Sequence, residues 1–131
     1  MQISITKNPN PGKMPPENEL GFGRIFTDHM FIMDYNDSEK WHNPRIVPYG
    51  PLSLMPSGDG IQYANTVFEG MKAYRIADGS IQLFRPYDNA KRLNDSAERL
   101  CMPEVPVEDF VEAVKALVRL DQDWVPHAEG T

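Results

Sequence analysis

Few residues of this chain have types and spacing that could do chemistry, and most of them also have a structural reading. His29, His42 and His127 fall in separate segments and do not form the cluster of three or four ligands that a tetrahedral zinc site needs. His29 follows Asp28, a pairing that could orient an imidazole as a base or hold a hydrogen-bonded structural histidine. Cys101 is the only cysteine, so it makes no internal disulfide; it falls on the apolar face of a helix, where it reads as a small core residue. Gly21-Phe22-Gly23 and Gly58-Asp59-Gly60 lack the spacing of a dinucleotide fingerprint or a P-loop and read as turns. Arg92 lies on the helix face away from Leu93 and Ala97. Periodicity alone puts it in solvent, with a phosphate contact as the other reading. The segment Tyr63-Ala64-Asn65-Thr66-Val67-Phe68-Glu69-Gly70 sets two aromatics, a carboxylate and a glycine between strand candidates. Its aromatic spacing fits neither the helical nor the strand period, and such breaks in local patterning are where function often sits.

The elements that must position these residues follow a strands-then-helices order. Residues 1–19 contain Asn8-Pro9-Asn10-Pro11-Gly12 and Pro15-Pro16, and read as an extended arm without regular structure ahead of a domain over 20–131. Met30 to Tyr35 is an apolar run of strand length, and Arg45 to Gly50 is a second strand candidate that Pro48 pushes towards a sheet edge. Lys72 to Ile76 and Ile81 to Phe84 flank Ala77-Asp78-Gly79-Ser80, whose Asp-Gly pair marks a hairpin. Asp88 or Asn89 can cap a helix with apolar positions Ala90, Leu93, Ala97, Leu100 and Cys101. After Pro103 and Pro106, a second helix carries Phe110, Val111, Val114, Leu117 and Val118, and Asp121-Gln122-Asp123 closes it poorly because acidic groups oppose the dipole there. The order implies an α+β fold with a mostly antiparallel sheet and two or more helices.

Composition sets the outer limits. The 131 residues carry 13 Lys and Arg against 19 Asp and Glu, a net charge of −6, with 40% apolar residues. That is enough chain for one domain with a real core. A net negative chain is a poor nonspecific nucleic-acid binder, since that needs clustered cations. No apolar run approaches the roughly 20 residues that span a bilayer, so no membrane partner is expected. Met1 to Pro16 is polar and proline-containing, unlike a secretory or transit signal, and a cytoplasmic location is the expectation. Trp124 to Thr131 reads as a loop with no closing element after it, which leads us to expect a chain cut from something longer.

Phe68-Glu69-Gly70-Met71-Lys72-Ala73-Tyr74-Arg75 resembles the Phe-Glu-Gly-x-Lys-Ala-Tyr/Phe-Arg motif of branched-chain amino acid aminotransferases, fold-type IV enzymes that use pyridoxal 5′-phosphate. Further blocks resemble the family in order: Phe22-Gly23 with Phe26 to Met30, Pro51 to Leu54, Leu83-Phe84-Arg85-Pro86, then Asn89, Arg92-Leu93 and Ser96, and finally Leu120 to Pro126. The resemblance runs from about Leu20 to Thr131 and implies the small N-terminal domain of such an enzyme. It implies that Arg92 binds the cofactor phosphate, and that Phe22, Tyr63 and Phe68 line the pocket for the side chain of Leu, Ile or Val. The substrates it implies are branched-chain amino acids and 2-oxo acids, with 2-oxoglutarate as amino acceptor, in a homodimer.

The resemblance also implies what is absent. Family members are more than twice this length and carry their Schiff-base lysine in a second domain. None of the six lysines here, Lys7, Lys13, Lys40, Lys72, Lys91 and Lys115, matches it. Transamination needs that amine. The chain alone is therefore expected to be inactive, with no catalytic residue of its own and its C-terminal domain as a missing partner. The alternative is a non-catalytic module that uses the fold to bind a small molecule or a protein.

Overall fold

A computed structural model describes residues 1–127; the last four residues of the expected terminal loop, Ala128 to Thr131, lie outside the described residues. The fold is α+β. Strand β1 (Ser4–Ile5) comes first, then β2 (His29–Asn36), β3 (Lys40–Pro48) and the short helix α1 (Asp59–Gln62). Strands β4 (Ala73–Arg75) and β5 (Ile81–Leu83) precede helices α2 (Pro86–Arg99) and α3 (Val107–Leu120).

β2 and β3 form a long antiparallel hairpin in which Phe31 faces Ile46 and Tyr35 faces Trp41. Its turn is built by Asn36, whose side-chain oxygen accepts from the backbone N–H groups of Ser38 and Glu39 at 3.0 and 2.7 Å. The register slips between Ile32 and Asp34, where Asn43 and Pro44 of β3 stand opposite Met33 alone. This is a bulge, and Asn43 supplies the positive φ of 53° while Pro44 has no N–H to give the ladder. The β4–β5 hairpin forms where Asp78-Gly79 predicts it, with Gly79 at φ +85°.

Four expectations need correction. Residues 1–19 are not free of regular structure, because β1 pairs in parallel with Arg45 and Ile46 of β3, and Glu17–Glu19 forms a 3-10 turn. β3 is consequently the central strand of the order β1-β3-β2, and Pro48 is tolerated because it lies beyond the short stretch that β1 covers. The first long helix starts at Pro86 and not at Asp88 or Asn89. Arg85 at φ +50° turns the chain, and Pro86 takes the first helical position, whose N–H would be unpaired in any case. At the other end Cys101 is exposed, in the left-handed region at φ +54°. The Cys101 N–H bonds Glu98 O and the Met102 N–H bonds Ala97 O, a Schellman stop that takes Cys101 off the apolar face.

Helix α3 packs against both α2 and β2. The buried apolar residues are Ile46 from the sheet, Ala90 and Ala97 from α2, Val111 and Ala113 from α3, and Val125 beyond it. Asp121 does not fray the end of α3. Its carboxylate turns inward and accepts from the His29 backbone N–H at 3.0 Å and contacts His29 Nδ1 at 2.5 Å. A group with an unfavourable dipole position is thus held by a buried partner 92 residues away in sequence.

Candidate functional site

The site grows out of the junction between the irregular 63–72 segment and the outer face of α2. Asn89 and Arg92 are three apart on that helix and so share a face, turned from the buried Ala90 and Ala97. Both reach Glu69. Asn89 Nδ2 donates to Glu69 Oε1 at 2.9 Å and to the Gly70 carbonyl at 3.1 Å. Arg92 Nε donates to Glu69 Oε2 at 2.8 Å, and Arg92 Nη2 pairs with Glu69 Oε1. The Gly70 N–H adds a bond at 3.0 Å.

Glu69 is therefore a carboxylate held by a guanidinium fork, an amide and a backbone N–H. Hydrogen bonding from Arg92, above all, brings its pKa down to about 2, with Asn89 and the Gly70 N–H acting the same way. The side chain of Glu69 is only 6% exposed, whereas that of Arg92 is 67% exposed. One edge of the guanidinium is pinned and the rest faces solvent.

Arg92 stands on the rim of an open groove of about 430 Å³ that also receives Lys72, Tyr74, Phe84, Arg85 and Asn89. Three cations line it against one carboxylate, Asp88, which is itself paired to Arg85 at 2.5 Å. Such a groove favours a compact anion, and a phosphate matches the remaining donors of Arg92 by shape and charge.

The aromatic candidates are all strongly exposed: Phe22 at 99%, Phe68 at 92% and Tyr63 at 80%. Phe68 directly precedes Glu69, so the backbone places it beside the Arg92 cluster. Tyr63 follows α1, and Phe22 sits between Gly21 and Gly23, both at positive φ. Among the described residues no hydrogen bond or ring contact joins Phe22 or Tyr63 to Arg92. Chain connectivity thus ties Phe68 to Arg92 through Glu69.

Over all 131 residues the chain is 49% identical to branched-chain-amino-acid aminotransferase 2 of Bacillus subtilis, covering 35% of that protein. Its homologues are branched-chain-amino-acid aminotransferases. Branched-chain-amino-acid transaminase 1 of the same organism is 53% identical over 117 residues, 89% of this chain and 33% of that one. The branched-chain-amino-acid aminotransferase of Mycolicibacterium smegmatis is 45% identical over 134 residues, covering 99% and 36%. The chain thus spans about a third of the length of these curated relatives. No protein-family model matches it. Phe22, Tyr63, Phe68 and Arg92 all fall within the stretch aligned to the B. subtilis aminotransferase 2.

Glu69 and Asn89 are the partners that sequence reasoning passed over. The 63–70 segment stood out as unusual, but Asn89 read as a helix cap. The three-residue step from Asn89 to Arg92 was the available signal, because it places an amide and a guanidinium where one carboxylate can take both. No helix of the described residues is long and apolar enough to cross a membrane, and no group of three His, Cys, Asp or Glu among them could hold a metal ion.

Proposed function

We propose that this chain forms the small N-terminal domain of a branched-chain amino acid aminotransferase, which moves the amino group of Leu, Ile or Val to 2-oxoglutarate. The observation that carries the reading is Arg92, pinned by Glu69 beside a cationic groove, in a chain whose whole length aligns with about a third of an aminotransferase.

Pyridoxal 5′-phosphate is the cofactor of this reading, and the residues present fit its phosphate. Arg92 would bind the phosphate through the donors that Glu69 leaves open, and Lys72 would add positive charge across the groove. When bound, the cofactor supplies the carbonyl carbon that carries the amino group between substrates. The chain's own part is to bind and to exclude water. Phe68, Tyr63 and Phe22 present apolar ring faces, which suit an aliphatic side chain without polar groups, and their exposure here is what a wall awaiting its opposite face would have. Tyr63 also carries a hydroxyl for the pocket edge. The catalytic lysine comes from the remainder of the enzyme, so these residues by themselves do not transaminate. The assembled protein is a cytoplasmic homodimer.

The test is a chimera in which this chain replaces the aligned third of the B. subtilis aminotransferase 2. The chimera should transfer the amino group of leucine to 2-oxoglutarate, while the 131-residue chain alone should not. A chimera that folds and takes up pyridoxal phosphate but leaves leucine untouched would favour a binding module instead. Turnover by the chain alone would overturn the shared-site reading.

A further inference from the structure

Helix α3 and strand β5 enclose a groove of about 490 Å³. Its helical wall is Lys115, Val118, Arg119 and Gln122, an i, i+3, i+4, i+7 series that runs past the end of α3. Its strand wall carries Ile81 and Leu83, two apart on β5 and so on one face. Ile81, Leu83 and Val118 are half-buried and make an apolar floor, while Lys115, Arg119 and Gln122 are exposed at the rim. We propose that this groove binds a small carboxylate with an aliphatic body, the charge between Lys115 and Arg119 and the body on the floor.

Both cations are available to a ligand. Among the described residues neither side chain takes part in a hydrogen bond or an ion pair. The acids near them in sequence are turned elsewhere. Glu112 binds the Met1 ammonium at 2.8 Å, Asp121 accepts the His29 N–H at 3.0 Å, and Asp123 lines a different cavity. Asp78, in the hairpin turn, accepts the Ser80 N–H at 2.8 Å. No carboxylate among the described residues lines the groove. Lys115 and Arg119 are four residues apart, about 6 Å along the helix axis, so both can reach one carboxylate.

Arg75 fixes the two walls to each other. It stands opposite Ile81 in the β4–β5 ladder. Its Nη1 donates to the Gly79 carbonyl at 3.1 Å and its Nη2 to the Gln122 carbonyl at 2.7 Å. The hairpin turn is thus tied to the end of α3, and a ligand does not have to order the walls as it binds. The volume suits a small molecule, and a bare anion would leave the apolar floor wet. Strand alternation places Tyr74, which lines the Arg92 groove, on the other face of the hairpin from Ile81. The two grooves share no lining residue, so occupancy of one is distinguishable from occupancy of the other.

The test titrates the 131-residue chain with 4-methylpentanoate at neutral pH and follows its amide signals by NMR. Those of Ile81, Val118, Arg119 and Gln122 should shift together and saturate, with a Kd of about 1 mM or tighter. Acetate has the charge without the body, and 4-methylpentanamide has the body without the charge. Each should bind about tenfold more weakly or worse. Replacing both cations, Lys115→Gln with Arg119→Gln, should weaken 4-methylpentanoate about tenfold or more, whereas Arg92→Ala should not change its binding. The comparison of the three ligands needs no substitution and decides the matter if the double variant fails to fold. Shifts confined to Gly70, Met71 and Arg92 would put the carboxylate in the other groove and overturn the site. So would no saturable shift at about 10 mM, acetate or the amide binding as tightly as 4-methylpentanoate, or a folded double variant with unchanged affinity.

Discussion

Glu69 grips one edge of Arg92 from a nearly closed position, while the guanidinium itself stays two-thirds open to water. The pair is lopsided in a useful way. An anion arriving in the groove meets a cation already restrained in orientation, and Glu69, having its oxygens occupied by Arg92, Asn89 and the Gly70 N–H, is not free to move with it. The same arrangement holds the 63–72 loop to α2, so one carboxylate fixes both the arginine and the segment bearing Phe68.

Removing that charge should loosen the loop. Glu69→Gln is expected to destabilise the chain by about 1 kcal/mol, below the usual range for a charged hydrogen bond and at the upper end for an exposed ion pair, because Arg92 is exposed. Glu69 has a lowered folded pKa, so its contribution is complete above the ordinary value of 4.5 and is lost as pH falls towards about 2. Urea unfolding of both proteins should show the difference at neutral pH and a shrinking gap through that acid window. A gap that persists unchanged at the acid end would mean the charge is not what stabilises the loop.

The strands, the Asp-Gly hairpin and the apolar stripe of α3 were legible in sequence because period and turn chemistry are local. What was not legible joined distant segments. β1 is two residues long and exists through its pairing with β3, so its own sequence carries no signal of it. His29 and Asp121 likewise meet through the fold, and the neighbouring Asp28 was a misleading local partner, its oxygens going to Gly12 and Trp124. Cys101 fitted a helical stripe, but the helix ends two residues before it, at Arg99, and Cys101 itself is the left-handed residue of the stop. Arg92 was read as solvated by periodicity, and it is exposed; the phosphate contact proposed for it rests on resemblance to a family, which carries information that spacing does not.

Asn94 joins α2 to the connection before α3. Its Nδ2 donates to Val105 O at 2.7 Å, and its Oδ1 accepts the Val105 N–H at 2.9 Å. Asn94→Ala should cost about 2 kcal/mol, roughly 1 for each bond. Asn94→Asp should cost at least as much at neutral pH, since it sets a carboxylate against the Val105 carbonyl. Thermal or urea unfolding measures both, and a neutral Asn94→Ala would mean water replaces the side chain without loss.

Cys101 holds a backbone shape that glycine adopts freely. Cys101→Gly should stabilise by about 0.5 kcal/mol, after the greater freedom of glycine in the unfolded chain is subtracted from the relief of left-handed strain. Cys101→Val should destabilise by more than about 1 kcal/mol, because a branched Cβ fits that region worst. The two substitutions should move the unfolding midpoint in opposite directions; movement in the same direction would show that the thiol, not φ, matters.

Phe68 separates folding from function. With 92% of it exposed, Phe68→Ala should leave the stability of this chain within about 0.5 kcal/mol. In the chimera with the B. subtilis enzyme, the same change removes an apolar wall, and kcat/KM for leucine should fall about tenfold or more, from roughly 1.5 kcal/mol of lost contact. A stability loss with unchanged kinetics would assign Phe68 to the fold.

Arg92 is where geometry and charge come apart experimentally. In the chimera, Arg92→Ala should weaken pyridoxal phosphate binding about tenfold or more, because a charged hydrogen bond contributes roughly 1.5–3 kcal/mol. Arg92→Lys keeps the charge but not the fork, and a single ammonium cannot hold both oxygens of Glu69 while also contacting a phosphate. It should recover less than half of the lost binding free energy. Cofactor titration followed by absorbance measures all three proteins. Full recovery by lysine would show that the groove needs only a positive charge and that the grip of Glu69 on Arg92 serves the loop alone.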